Sequence, residues 1–303
     1  MRVKLRHELI KPLMIALTGS AACFSLPVGG YAAPKAAPEI FEQNNDLFAR
    51  KGPGSQPVEL TRDHKKKDCW ALSPDGITLA YSIQPGEKEL RTIQFLNIET
   101  RQHKSYPAAR KDEQVGTGSG AVKLEWIDAI RLGMEFHINP SCSQYTILDG
   151  KTGALSGQYL GYWFTWSPAK KHVAYVGWVP HFGPSEAHSH YLQIDGKTVY
   201  PTKNMKEPYK GDHEFLTPLV WSPSGNLIAV VDRTKGNDYL AISGLQSKNI
   251  VAKIPSKDET ISNPPVWVED QFVQLQEGDR KHQFEVGRKH WITWTGQDGK
   301  RGK

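Results

Sequence analysis

His181, His188, His190 and His213 stand in one stretch of the chain with Trp178, Phe182 and Tyr209 between or beside them. Imidazoles at 188 and 190 fall on one side of an extended strand, and a third can close a zinc or copper site. No fixed ligand spacing accompanies them, so exposed loop histidines are the plain alternative, and neither a metal nor any other cofactor is assigned. Gly116-Thr117-Gly118-Ser119-Gly120 looks like a phosphate cradle, but no Lys-Ser/Thr follows and no strand-to-helix context surrounds it. Asp68 is the one acid at an inner-strand start, while Glu125, Glu269 and Asp270 lie within or after such strands. A funnel glycosidase places two or three carboxylates there. With no Gly-x-Ser-x-Gly elbow either, the chain reads as a non-enzyme. Aromatic side chains beside basic ones have the composition of binding hot spots. Arg110, Lys111, Trp178, His181, Phe182, His188, His190, Tyr209 and His213 are therefore the candidate partner-binding residues.

The element that must position them is a repeat. Leu219-Val220-Trp221-Ser222-Pro223-Ser224-Gly225 followed by Leu227 to Asp232 spells two apolar strands joined by a tight turn. Serine starts the turn, proline pre-sets φ, and glycine supplies a left-handed exit. Leu72-Ser73-Pro74-Asp75-Gly76 with Leu79-Ala80-Tyr81 is a close copy, and Trp166-Ser167-Pro168 with Val173-Ala174-Tyr175 is a third without the glycine. Tryptophan also marks starts at Leu124 to Trp126 and Val266 to Val268, which makes five starts at intervals of roughly 40 to 55 residues, the spacing of a propeller. The expected fold is all-β, a single propeller of about five four-stranded blades, with six as the alternative count. The ring closes through Trp291 to Thr295, or through a strand at Gln56 to Thr61 paired with the final blade. The tryptophans, with Tyr162 and Phe164, are expected to pack between blades.

These repeats resemble the TolB-type, WD40-like propeller repeat, whose signature is Trp-Ser-Pro-Asp-Gly followed a few residues later by Ala-Tyr. The resemblance implies the fold and no particular activity. The region before residue 60 is too short for the separate α/β domain of TolB, so a role in the Tol-Pal system is not carried over.

Propeller strand order sorts the connections by face. The longest, Pro107 to Ala121, Val179 to Ser189 and Pro201 to Thr217, open on one end, and the other end has only tight turns. Long loops on a rigid scaffold are where binding usually resides.

Residues 1–32 read as a signal peptide: Arg2, Lys4, Arg6 and Lys11, then an apolar run from Pro12 to Phe24, then small residues to the cut after Ala32. A lipid anchor at Cys23 is the alternative. Residues 33–56 read as a flexible tether, 57–295 as the propeller and 296–303 as a basic tail. Loss of residues 1–32 removes four Lys/Arg and one Glu, lowering the net charge from +6 to about +3. The remaining basic residues are dispersed, so nucleic acid is not expected as a partner. Export to the periplasm permits a Cys69–Cys142 disulfide, with two separate buried thiols as the alternative. The expected partner is a protein or peptide of the cell envelope, either an envelope complex or a secreted toxin neutralised by this protein.

Overall fold

A computed structural model describes residues 37–83, 91–108, 121–139, 142–177, 190–202, 213–246, 249–255, 261 and 263–295. Among them every regular element is a β-strand, and every pairing is antiparallel. The first sheet holds β1 (Glu39–Gln43), β2 (Asp46–Arg50) and β3 (Val58–Glu59), in that order. The second is a four-strand meander of β4 (Lys67–Leu72), β5 (Thr78–Ile83), β6 (Thr92–Asn97) and β7 (His103–Pro107).

The third sheet runs from β8 (Ala121–Trp126) through β9 (Arg131–Asn139), β10 (Cys142–Asp149), β11 (Leu155–Trp166), β12 (Val173–Gly177) and β13 (Tyr191–Ile194) to β14 (Lys197–Tyr200). It contains two four-strand meanders that share β11, whose first half pairs with β10 and second half with β12. The change of partner falls at Gly161, where an added Cβ would lie 2.0 Å from the Val176 carbonyl oxygen. Only glycine fits this close approach. The fourth sheet follows with β15 (Glu214–Phe215) and β16 (Val220–Trp221) both on β17 (Ile228–Thr234), then β18 (Asn237–Ser243) and β19 (Ile250–Lys253). The last holds β20 (Val266–Val268), β21 (Phe272–Glu277), β22 (Arg280–Glu285) and β23 (His290–Thr295).

The repeated turn forms as its residues dictate. Gly76 and Gly225 both take φ near 73°, and their N–H groups donate to the carbonyls of Ser73 (2.8 Å) and Ser222 (2.9 Å). The third copy places Lys170 in the same conformation, with φ 55°, and its N–H donates to the Ser167 carbonyl at 2.8 Å.

The central strands are buried on both faces, as β12 and β17 are almost throughout, so each sheet gives one face to each neighbour. Leu132, Met134 and Phe136 join the core shared with Ile93 and Phe95, while Val176, Leu192 and Tyr200 pack with Ile228 and Val230. The tryptophans that open the meanders bind neighbouring sheets through their indole N–H groups. Trp126 donates to the Ala71 carbonyl (3.0 Å), Trp221 to Thr165 (3.1 Å) and Trp267 to Val220 (2.9 Å). Trp166 instead donates to the Tyr145 hydroxyl at 2.6 Å.

Three sequence expectations are corrected. Residues 33–56 do not form a tether throughout, because β1 and β2 lie inside that range and send Leu47 and Ala49 into a core with Leu60, Leu79 and Leu96. The strand expected at Gln56 to Thr61 pairs with β2 through Val58 and Glu59 rather than with the final sheet. Trp291 to Thr295 lies in β23, the fourth strand of that last sheet. Cys69 on β4 and Cys142 at the start of β10 are free thiols, not a disulfide.

Candidate functional site

The starts of the first strands of the meanders, the ends of the second strands and the ends of the fourth strands gather at one end of the sheets. At that end β11 contains a bulge. Tyr162 faces Val176 and Thr165 faces Ala174, so three steps on β11 match two on β12. An extra residue reverses the side-chain alternation and increases the local twist. Phe164 is thereby turned inward, where it stacks on Tyr145 at 5.0 Å and on Tyr175 at 5.1 Å between ring centres. Trp163 takes the strain. Its φ is 56°, in the left-handed region, yet its side chain remains 36% exposed. A non-glycine residue held there costs on the order of 1–3 kcal/mol, and such outliers concentrate at functional sites.

From Trp163 an aromatic series runs inward. Its ring meets Tyr162 edge-on at 5.2 Å, Tyr162 meets His190 at 5.7 Å, and His190 meets Phe215 at 5.6 Å. Phe215 stacks on Tyr200 at 6.0 Å, and Tyr200 meets His213 at 5.4 Å. Burial, then the nearby Glu214 carboxylate, push the Tyr162 hydroxyl up to about 12, so it stays a neutral hydrogen-bonding group. Leu160 is 47% exposed and Ile138 39%. The pairing of Leu160 with Gln144, and of Gln144 with Phe136, puts Leu160 and Phe136 on one face of the sheet near the same end.

Of the residues singled out from sequence, the structure brings His190 and His213 together. The His190 N–H donates to the His213 carbonyl (2.8 Å), and the Phe215 N–H donates to His190 Nδ1 (2.8 Å). Accepting that bond places the His190 ring proton on Nε2. His213 is buried, with Nδ1 2.7 Å from Asp232 Oδ2, an oxygen that also accepts the Tyr200 hydroxyl. Both imidazoles are thus built into the packing between the third and fourth sheets rather than lying on a loop surface. Arg110, Lys111, Trp178, His181, Phe182, His188 and Tyr209 lie outside the described residues.

The inner-strand carboxylates are likewise engaged. Asp68 pairs with Arg91, which also bonds the Ser82 hydroxyl at 3.0 Å. Glu125 pairs with Lys123 (2.7 Å) and accepts the Tyr145 hydroxyl (3.0 Å). Asp270 accepts the Ser224 N–H (3.0 Å), tying the last sheet to the preceding sheet's turn. Among the described residues no group of three or more His, Cys, Asp or Glu side chains is placed to hold a metal.

Trp163 escapes a sequence reading that assumes regular alternation. The signal was Gly161 inside a strand, directly before the run Tyr162-Trp163-Phe164, because an isolated glycine in a strand pattern often marks a bulge or a close backbone approach.

No family model and no curated protein matches the chain. Solved structures do match. Dipeptidyl peptidase 4 from Porphyromonas gingivalis is 11% identical over 84% of this chain and 43% of its own, with a TM-score of 0.55. TolB from Acinetobacter baumannii is 16% identical over 84% of this chain and 61% of its own, with a TM-score of 0.35. The β-propeller domain of the trilobed protease from Pyrococcus furiosus is 15% identical over 88% of this chain and 92% of its own, with a TM-score of 0.41. This chain therefore spans less than two thirds of the TolB and peptidase chains. The fold is an all-β architecture of the propeller type, in keeping with the succession of antiparallel meanders and repeated turns.

Proposed function

We propose that this protein is an exported, periplasmic β-propeller that serves as a protein-binding scaffold, without catalysis, for a protein or peptide partner of the cell envelope. The observation that carries this reading is Trp163. A large aromatic side chain is held in a strained conformation and still left 36% exposed, at the end of the sheets where the longest connections begin and end. A strain of this kind persists only where the surroundings over-determine it. The stacked rings behind Trp163 supply that rigidity, which lowers the ordering cost of binding. Exposed aromatics backed by a rigid core are the usual anchors of protein interfaces, and Leu160 and Ile138 are exposed near the same end of the sheets. A funnel glycosidase draws less support, because Asp68 is committed to Arg91.

Export rests on the basic, apolar and small-residue order of residues 1–32, with lipidation at Cys23 as the alternative form of retention. Affinity capture from periplasmic extract tests the proposal, comparing wild type with Trp163→Ala and Leu160→Ser combined. A partner held by wild type and lost by a variant with unchanged circular dichroism is expected. Equal capture by both proteins overturns the placement of the surface.

A further inference from the structure

Every meander after the first sheet has four strand positions, and its last strand leads into the first strand of the next. The first sheet has three. Its β3 leads into β4 as β7 leads toward β8 and β19 toward β20, so β3 holds the outermost place and β1 the second. The innermost place, filled elsewhere by a strand that carries tryptophan, has no strand among the described residues. The far edge of β1 receives no backbone hydrogen bond from them either. The hairpin is nevertheless firmly built. Asn44 and Asn45 make a two-residue turn with φ 55° and 66°, Phe41 stacks on Phe48 at 5.7 Å, and Arg50 lies over the Phe41 ring at 4.8 Å.

An edge strand with unpaired N–H and C=O groups is a template for another strand, and proteins normally cover or blunt it. The chain's own flanking residues are poor material for that strand. Residues 28–36 read Val-Gly-Gly-Tyr-Ala-Ala-Pro-Lys-Ala and residues 296–303 read Gly-Gln-Asp-Gly-Lys-Arg-Gly-Lys, both dominated by residues depleted from strands. On β1 itself Glu39, Glu42 and Gln43 are exposed; Glu39 is shared with Arg50, and Glu42 is left to face an incoming strand.

The geometry points to β1 as a strand-addition site that takes an extended segment of a partner protein carrying a basic side chain opposite Glu42. Main-chain hydrogen bonds to β1 supply the affinity, and alternate side chains meeting Ile40 and Glu42 supply the selectivity. This rests on the protein-binding reading, but it uses a different element from Trp163 and is tested separately.

The experiment displays a random dodecapeptide library against the full chain and measures recovered peptides by calorimetry on wild type, Ile40→Pro, Glu39→Lys combined with Glu42→Lys, and Trp163→Ala. Gln43 and Asp46 flank the two-residue turn and Leu47 directs its N–H and carbonyl to Thr61 and Leu60, so the N–H groups of Ile40 and Glu42 are the ones that face the free edge. Proline is tolerated on an edge strand but cannot donate to an added one. Recovered peptides with alternating apolar and basic residues are expected, with binding at least about tenfold weaker on Ile40→Pro and on the charge reversal, and unchanged on Trp163→Ala. If Ile40→Pro fails to fold, the charge reversal, which leaves the β1 backbone intact, decides alone. Peptides that lose affinity only on Trp163→Ala overturn strand addition and leave the scaffold standing. Peptides indifferent to all variants overturn strand addition as well. Hydrogen exchange gives a second readout: β1 edge amides are expected to exchange rapidly in the free chain and slowly with a bound peptide. Protection already present in the free chain means that the chain fills the place itself, and it overturns the proposal.

Discussion

Replacing Trp221 tests whether the tryptophan-marked strands hold successive sheets together. The side chain is 9% exposed, packs with Phe215, Leu219, Ile228 and Val230, and donates its indole N–H to the Thr165 carbonyl of the preceding meander at 3.1 Å. Trp221→Ala removes both the packing and the bond, so it should cost about 3–5 kcal/mol, the usual range for an aromatic truncation that leaves a cavity. Trp221→Phe keeps most of the ring but orphans the Thr165 carbonyl, so about 1–2 kcal/mol is expected. At roughly 2–4 °C per kcal/mol for a domain of this size, the alanine variant should melt roughly 6–20 °C lower. Urea unfolding followed by far-ultraviolet circular dichroism measures both variants against wild type. An alanine cost below about 1 kcal/mol, or a phenylalanine variant as damaged as the alanine one, refutes the assignment of this side chain to the joint between sheets.

Two further outcomes follow from buried polar groups. Burial raises the Asp46 carboxyl, but the Thr61 hydroxyl, the His64 N–H and the charges of Lys67 and His64 outweigh it and hold the group below its ordinary range. Its stabilisation is therefore complete above the unfolded value of about 3.9 and lost as pH falls through the lower folded value. Asp46→Asn should be less stable than wild type at neutral pH and show a flatter loss of stability in acid, measured by urea midpoints at a series of pH values. Burial also pushes the Cys69 thiol up to about 12 and raises Cys142. Iodoacetamide at neutral pH should label neither in the native chain and both after denaturation; a linked Cys69–Cys142 peptide in the unreduced digest contradicts the free thiols.

The parts of the fold that depend on local chemistry were legible in the chain. Ser-Pro-x-Gly fixes its own turn through the serine carbonyl and a glycine that tolerates positive φ, and tryptophan spacing marks the first strand of each meander. What stayed hidden depends on partners distant in sequence. Asp46 to Arg50 holds no β-branched residue to announce a strand, and it becomes one because Leu47 and Ala49 find Leu79 and Leu96 on the next sheet. Phe164 and Trp163 part company because Tyr145 and Tyr175 offer a stack on one side only. His213 looked like a loop ligand because nothing in its neighbourhood reveals Asp232 or Tyr200, which lie on other strands.

The central claim is that the end of the sheets bearing Trp163 meets a partner protein. Site-specific photo-crosslinking in intact cells tests it most directly, with benzoylphenylalanine placed at position 163 and, as the opposite-end control, at position 224 in the exposed Ser-Pro-Ser-Gly turn. A discrete higher-mass adduct from position 163 and none from position 224 is the predicted result. No adduct from position 163, or the same adduct from both positions, contradicts it.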